Sequence, residues 1–230
     1  MPYYGFGYSP EYLFIVLVSL VLGLATQSYI KSTYKKWSRI PLRTGQTGAE
    51  VARHMLDSQG ASAVGITSVS GHLTDFYDPR DNMLHLSSEN QHDSSIASAA
   101  VACHEAGHAI QAAQGYIPLK IRHALVPVVN FTSNFWMILF MIGIFIQQSG
   151  LVTLGIYFFA FSVLFQLVTL PVEIDASRRA VAYISQGLSD EAKKGARQVL
   201  TAAALTYVAA ALVSVLQLLY LLGISSNDRN

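Results

Sequence analysis

Residues Ala124–Val172 read ALVPVVNFTSNFWMILFMIGIFIQQSGLVTLGIYFFAFSVLFQLVTLPV, without one Asp, Glu, Lys or Arg. A bilayer's hydrocarbon core takes about 20 apolar residues of helix, so the run is too long for one crossing and right for two. Its break falls at Gln147-Gln148-Ser149-Gly150, which predicts spans over 124–146 and 151–170 joined by a tight hairpin. Two more spans flank the pair. Residues 12–30 carry no charge and include Leu13-Phe14-Ile15-Val16-Leu17-Val18, and a second apolar run covers 199–224. Over all 230 residues 52% are hydrophobic and 13% charged, against about a quarter charged in a soluble domain. The expected fold is a mainly α integral membrane protein with four transmembrane helices.

Charge sets the expected topology. Of the 15 Lys and Arg residues, all but Arg229 fall between spans one and two or between spans three and four. Lys31, Lys35, Lys36, Arg39 and Arg43, with Trp37 among them, follow the first span directly. Basic flanks mark the cytoplasmic side, which places segments 31–123 and 171–198 there and both chain termini outside. The lead Met1–Pro10 has no basic residue and no clear cleavage site, so the first span is read as retained in a multi-pass protein of the cell membrane. The net charge of +1 provides no broad basic surface, which argues against nucleic acid as a partner. Cys103 has no second cysteine to pair with and is read as a small buried filler.

The segment 31–123 reads as a small cytoplasmic α+β lobe. Thr47-Gly48-Ala49-Glu50 is a capping-box pattern opening a helix that Gly60 ends. Val64–Val69 reads as a strand, and His72–Tyr77 with Met83–Leu86 as a hairpin around Asp78-Pro79-Arg80-Asp81-Asn82. That hairpin either holds an extended substrate by main-chain pairing or only covers the next helix.

That helix, Ser94–Gln114, is alanine-rich and proline-free, with Asp93 or Ser94 as cap and Gly115 as stop. It contains His104-Glu105-Ala106-Gly107-His108. Histidines four apart share a helix face and reach one Zn²⁺, while Glu105 hangs beside the ion where an attacking water would sit. Catalytic zinc takes three protein ligands, so a third must come from the same side of the membrane. Glu173 stands at the exit of the uncharged run after two crossings and is the residue favoured. Asp175 lies about 200° away on the same helix, so both cannot face one ion. Asp175 is read as a partner of a ligand histidine or as an ion pair with Arg178 or Arg179, and Gln111 as a possible neighbour of His108.

Three separated motifs carry a family resemblance. His104-Glu105-Ala106-Gly107-His108-Ala109-Ile110-Gln111, Gly71-His72-Leu73-Thr74-Asp75-Phe76-Tyr77-Asp78-Pro79 and Pro171-Val172-Glu173-Ile174-Asp175-Ala176-Ser177-Arg178-Arg179-Ala180 resemble the YugP-type neutral zinc metallopeptidases of bacterial membranes. The likeness covers essentially the whole chain and implies a single membrane metallopeptidase domain, 1–230, with a zincin-like lobe. This group is similar to the HtpX-type membrane proteases, in which the glutamate opening a Glu-aromatic-x-Ala-Asp motif is the third zinc ligand. The resemblance implies that role for Glu173. Ile174 stands where that motif has its aromatic residue and Ser177 where it has its aspartate.

The expected chemistry is peptide hydrolysis by a zinc-activated water, with one Zn²⁺ on His104, His108 and Glu173 and with Glu105 as general base. Tyr77, His72, Arg178 and Tyr183 are open alternatives for the group that steadies the oxyanion. Expected substrates are membrane or misfolded proteins at the cytoplasmic face, with the lipid bilayer as the other partner. An inactive zinc-binding scaffold and, less favoured, a metal transporter are the rival readings.

Overall fold

The computed structural model describes residues 9–227. The lead 1–8 and Arg229, on which part of the expected topology rests, lie outside the described residues. The order of elements is α1 (Pro10–Trp37), α2 (Gly48–Ser58), β1 (Gly65–Val69), β2 (Phe76–Asp78), β3 (Met83–Ser87), α3 (Ser88–His92), α4 (Ile96–Ala113), α5 (Ile117–Phe145), α6 (Ser149–Gly187) and α7 (Asp190–Asn227). The protein is mainly helical, with one small mixed sheet of order β1-β3-β2. Helices α1, α5, α6 and α7 are long and apolar enough to cross a membrane, matching the four expected spans.

The chain divides into two compact units. One comprises residues up to Ala25, Ile121–Leu170 and Thr206 onward. Here α1 exposes Leu13, Phe14, Leu17, Leu20 and Leu24, and a helix apolar on every side suits hydrocarbon rather than water as its solvent. The α5–α6 hairpin turns at Gln147, whose φ is 56°. Its helices approach closely: a Cβ added at Gly155 would sit 2.8 Å from the Trp136 carbonyl oxygen. Small residues at a helix crossing let backbones touch, which is how helices associate where no hydrophobic effect drives them together. Phe140, Val152, Ile156, Phe159 and Val163 fill the core beside that crossing.

The second unit comprises Thr26–Lys120 and Pro171–Leu205. At its centre is α4, whose alanines Ala97, Ala99, Ala100, Ala102, Ala106 and Ala109 are all buried. Side chains this short let neighbours approach α4 from several directions at once. Helix α2 packs along α4 through Val51, Ala52, Met55 and Leu56. The expected capping box is present at Thr47 and Glu50, and Gly60 ends the helix region with φ 74°. In the sheet, β1 runs parallel to β3 and β2 antiparallel to it, so the expected hairpin forms. Leu84 and Leu86 of β3 are buried.

Asp75 ties these pieces together. Ser87 N–H donates to its Oδ1 at 2.7 Å, and Asn90 Nδ2 donates to its Oδ2 at 2.7 Å. Tyr34 Oη in turn donates to Asn90 Oδ1 at 2.8 Å. The Gly71–Pro79 motif thus locks the β2–β3 hairpin to α3 and to the last turns of α1.

Two local expectations, the α4 cap and the close of the third span at Pro171, are corrected. The α4 cap is Ser95, whose side chain accepts from the Ser98 N–H, rather than Asp93 or Ser94. Those upstream residues are instead engaged in pairing: Leu42 N–H donates to the Ser94 carbonyl and Gly48 N–H to the Asp93 carbonyl. Helix α6 does not stop at Pro171 but continues to Gly187. A proline inside a helix forfeits one backbone bond, whereas ending a helix at an apolar boundary would leave several carbonyls without partners. Finally, Ala192, Ala196, Val199 and Leu200 of α7 lie in the same core as Trp37 and Ile96, so the stretch 188–198 joins this unit.

Candidate metal centre

His104 and His108 come from one face of α4, and Glu173 from α6. The two helices touch at Gly107, where an added Cβ would lie 2.8 Å from the Ala176 carbonyl oxygen and 3.1 Å from its Cα. With a hydrogen there, the backbones close up. The fourth position of the His-Glu-x-x-His pattern is therefore the contact that brings both histidines within reach of a carboxylate on the other helix.

Glu173 Oε2 lies 3.2 Å from His104 Nε2 and 3.5 Å from His108 Nε2. The imidazole rings are 4.7 Å apart at 83°, and the three ligand atoms fall within 4.8 Å of one another. Ligand atoms at about 2.0–2.1 Å from a tetrahedral zinc sit about 3.3 Å apart, a spacing bracketed by the two histidine–glutamate separations. Two imidazoles and one carboxylate are also a donor set that suits zinc and leaves a fourth position open. The residues present fit a catalytic-type zinc ion.

Each histidine is held from behind. His104 Nδ1 lies 3.1 Å from Ser177 Oγ, and His108 Nδ1 lies 3.1 Å from Gln111 Oε1. Ser177 occupies the place where the similar motif has aspartate, and it supplies a hydroxyl to the same end of the imidazole. Position 177 stands out in the sequence only through the resemblance, since a serine at this spacing is also an ordinary helix residue. Asp175 turns away from Glu173 as expected. It accepts from Gln111 Nε2 at 2.9 Å and from Arg179 Nε at 2.6 Å, so the ion-pair reading is the one the structure shows, and Asp175 bonds Gln111 where the other reading had a ligand histidine.

Electrostatics separate the groups. Burial drives the Glu105 carboxyl above the usual carboxylate range; the nearby histidines counter part of that, and the charges of Glu173 and Asp75 reinforce it. Burial alone would lower the His108 pKa, but the bond that the protonated ring makes to Glu173 and the field of Glu105 outweigh it and the net shift is upward. A carboxyl of raised basicity beside the ligand pair is what proton transfer near neutrality asks for.

The oxyanion candidates are dispersed. Tyr77 Oη donates to Asn82 Oδ1 in the β2–β3 turn, and His72 Nδ1 pairs with Glu89 Oε2 at 2.7 Å. Arg178 is exposed. Tyr183 lines a cavity of about 130 Å³ with Met55, Ile110 and Arg179, on the side of α4 that carries Ile110 rather than the histidines.

The family profile described as "Putative neutral zinc metallopeptidase" matches residues 12–226. The chain belongs to that zinc metallopeptidase family. It is 42% identical over 221 residues to the "Putative membrane protease YugP" of Bacillus subtilis (strain 168), covering 95% of this chain and 98% of that protein. No solved structure matches the chain. The chain itself carries His104-Glu105-x-x-His108, and Glu173 completes the candidate metal-binding triad.

Proposed function

We propose that this metallopeptidase is a membrane endopeptidase. His104, His108 and Glu173 hold one Zn²⁺, and Glu105 serves as the general base. The observation that carries the reading is the convergence of three ligand atoms within 4.8 Å at the helix that also carries the buried Glu105 carboxyl. Bound zinc supplies Lewis-acid polarisation of the scissile carbonyl and makes water acidic enough to ionise near neutral pH. Glu105 accepts the proton of the attacking water and returns it to the leaving amine nitrogen. Gln111 and Ser177 keep the two imidazoles aimed, and the Gly107–Ala176 contact keeps Glu173 in reach of both.

Helix α4 and the three-stranded sheet make up a zincin-like lobe in this reading. The order β1-β3-β2 leaves β2 at an edge of the sheet, and β2 lies against α4. An extended substrate segment adds there by main-chain pairing. The basic residues of 31–123 and 171–198 put the site on the cytoplasmic side, where it meets membrane proteins close to the bilayer or misfolded chains.

Replacing Glu105 by Gln in the purified full-length protein tests the reading. Zinc content should stay near wild type while hydrolysis of a labelled casein-type substrate falls by about 10²–10⁴. Undiminished cleavage by Glu105→Gln would overturn the assignment.

A further inference from the structure

Gln111 is wholly buried, one turn past His108 on α4. Its Oε1 lies 3.1 Å from His108 Nδ1. Its Nε2 donates to the Val172 carbonyl oxygen at 2.9 Å and to Asp175 Oδ2 at 2.9 Å. A primary amide carries two N–H donors on nitrogen and only acceptor capacity on oxygen. Both donors here are spent on groups that cannot donate, a backbone carbonyl and a carboxylate. Rotating the amide by 180° would set its oxygen against two oxygens and leave that buried oxygen without a donor, at a cost comparable to a lost hydrogen bond.

The amide therefore has one orientation, and its oxygen is left to accept. A bond to His108 Nδ1 then requires that Nδ1 carry the hydrogen. A neutral imidazole protonated on Nδ1 has its lone pair on Nε2, the atom that faces Glu173. The arrangement is anchored further out: Asp175 accepts from Arg179 Nε, and Arg179 Nη1 donates to Gln114 Oε1 at 2.7 Å. His104 is held differently. Ser177 Oγ can donate or accept, so that contact selects neither tautomer.

We propose that Gln111, oriented by Asp175 and the Val172 carbonyl, is the positioning residue that holds His108 as its Nδ1–H tautomer and so presents Nε2 to the metal ion. The proposal rests on the zinc-site reading for the identity of the ion, while the tautomer assignment is a property of the metal-free protein. Because the partner is an amide, Nδ1 is oriented without a negative charge directly against it, and on that side of the ring the charge sits one step out on Asp175. This departs from the commoner arrangement in which a ligand histidine donates straight to a carboxylate, a backbone carbonyl or a water.

The test uses full-length protein in detergent with ¹⁵N-labelled histidine, at a pH where the rings are neutral. In metal-free wild type, His108 should show a hydrogen on Nδ1; an Nε2–H signal would overturn the proposal whatever any variant does. Gln111→Met keeps the volume and removes the acceptor. It is expected to yield a mixture of His108 tautomers and to weaken zinc binding, read by chelator competition, on the order of 10–100-fold. Gln111→Glu, whose carboxyl oxygen still accepts from Nδ1, should restore the single tautomer. Wild-type zinc affinity and an unmixed Nδ1–H signal in Gln111→Met would also overturn it. A wild type that shows the Nδ1–H tautomer but binds no zinc would remove the metallopeptidase reading and leave the tautomer assignment standing.

Discussion

Gly107 and Ala176 meet so closely that a Cβ on the glycine would lie 2.8 Å from the alanine's carbonyl oxygen. Real Cβ atoms do not approach backbone oxygen to that distance, and neither partner is the free end of a flexible side chain. The α4–α6 spacing, and with it the reach from His104 and His108 to Glu173, depends on the missing methyl group.

Gly107→Ala should therefore push α6 from α4 although alanine is the better helix former. Overpacking of this kind costs about 1–3 kcal/mol, and zinc affinity should fall together with thermal stability. The check is chelator competition beside a thermal melt. A variant with higher stability and unchanged zinc binding would show that the helix contact is not what sets the site.

Glu173 is 3% exposed and is the residue of the triad contributed by α6. Glu173→Ala leaves His104 and His108 as a two-ligand site, so zinc content by elemental analysis should drop well below about one ion per chain, with hydrolysis lost alongside. Asp175→Ala is the paired comparison: it should retain the ion, because Asp175 bonds Gln111 and Arg179 rather than facing the ligand atoms. Equal zinc loss in both variants would contradict this division of roles.

Cys103 precedes the first ligand histidine yet is fully buried, and burial pushes its thiol well above the ordinary range. Thiolate is the reactive form. Native protein should resist alkylation at neutral pH and become reactive only on unfolding, as mass spectrometry will show. Rapid labelling of the folded protein would place Cys103 in a different environment.

Asp78 opens the β2–β3 turn, and its hydrogen bonds from the Arg80 side chain and backbone hold its carboxyl down at about 2. A depressed carboxylate stabilises the fold above its unfolded value of about 3.9 and loses that contribution as pH falls through the folded value. Asp78→Asn should flatten the pH dependence of the melting temperature between about pH 4 and pH 2. The effect should be small, because the pair is at the surface. An unchanged slope would rule out the contribution.

Much of the site was legible because its signals are periodic or compositional. His104 and His108 sit four apart in an alanine-rich helix, and Glu173 stands out as a carboxylate at the edge of a long uncharged run. The bond from Ser177 to His104, the capping role of Ser95 and the network around Asp75 were not legible. Each joins residues far apart in the chain or chooses among adjacent polar residues that local propensity ranks alike. Gln111 was visible as a neighbour of His108, but not the pair of acceptors, Val172 and Asp175, that orients it.

The order of residues alone determined that four helices are apolar enough for a bilayer and that two imidazoles share one face, since hydrophobic length and helical period are properties of local sequence. Only the tertiary structure decided how far apart α4 and α6 lie and which polar atoms back each imidazole. Those depend on side-chain volume and hydrogen-bond capacity at contacts between distant segments, where a single methyl group at residue 107 or a flipped amide at residue 111 changes what the site can hold.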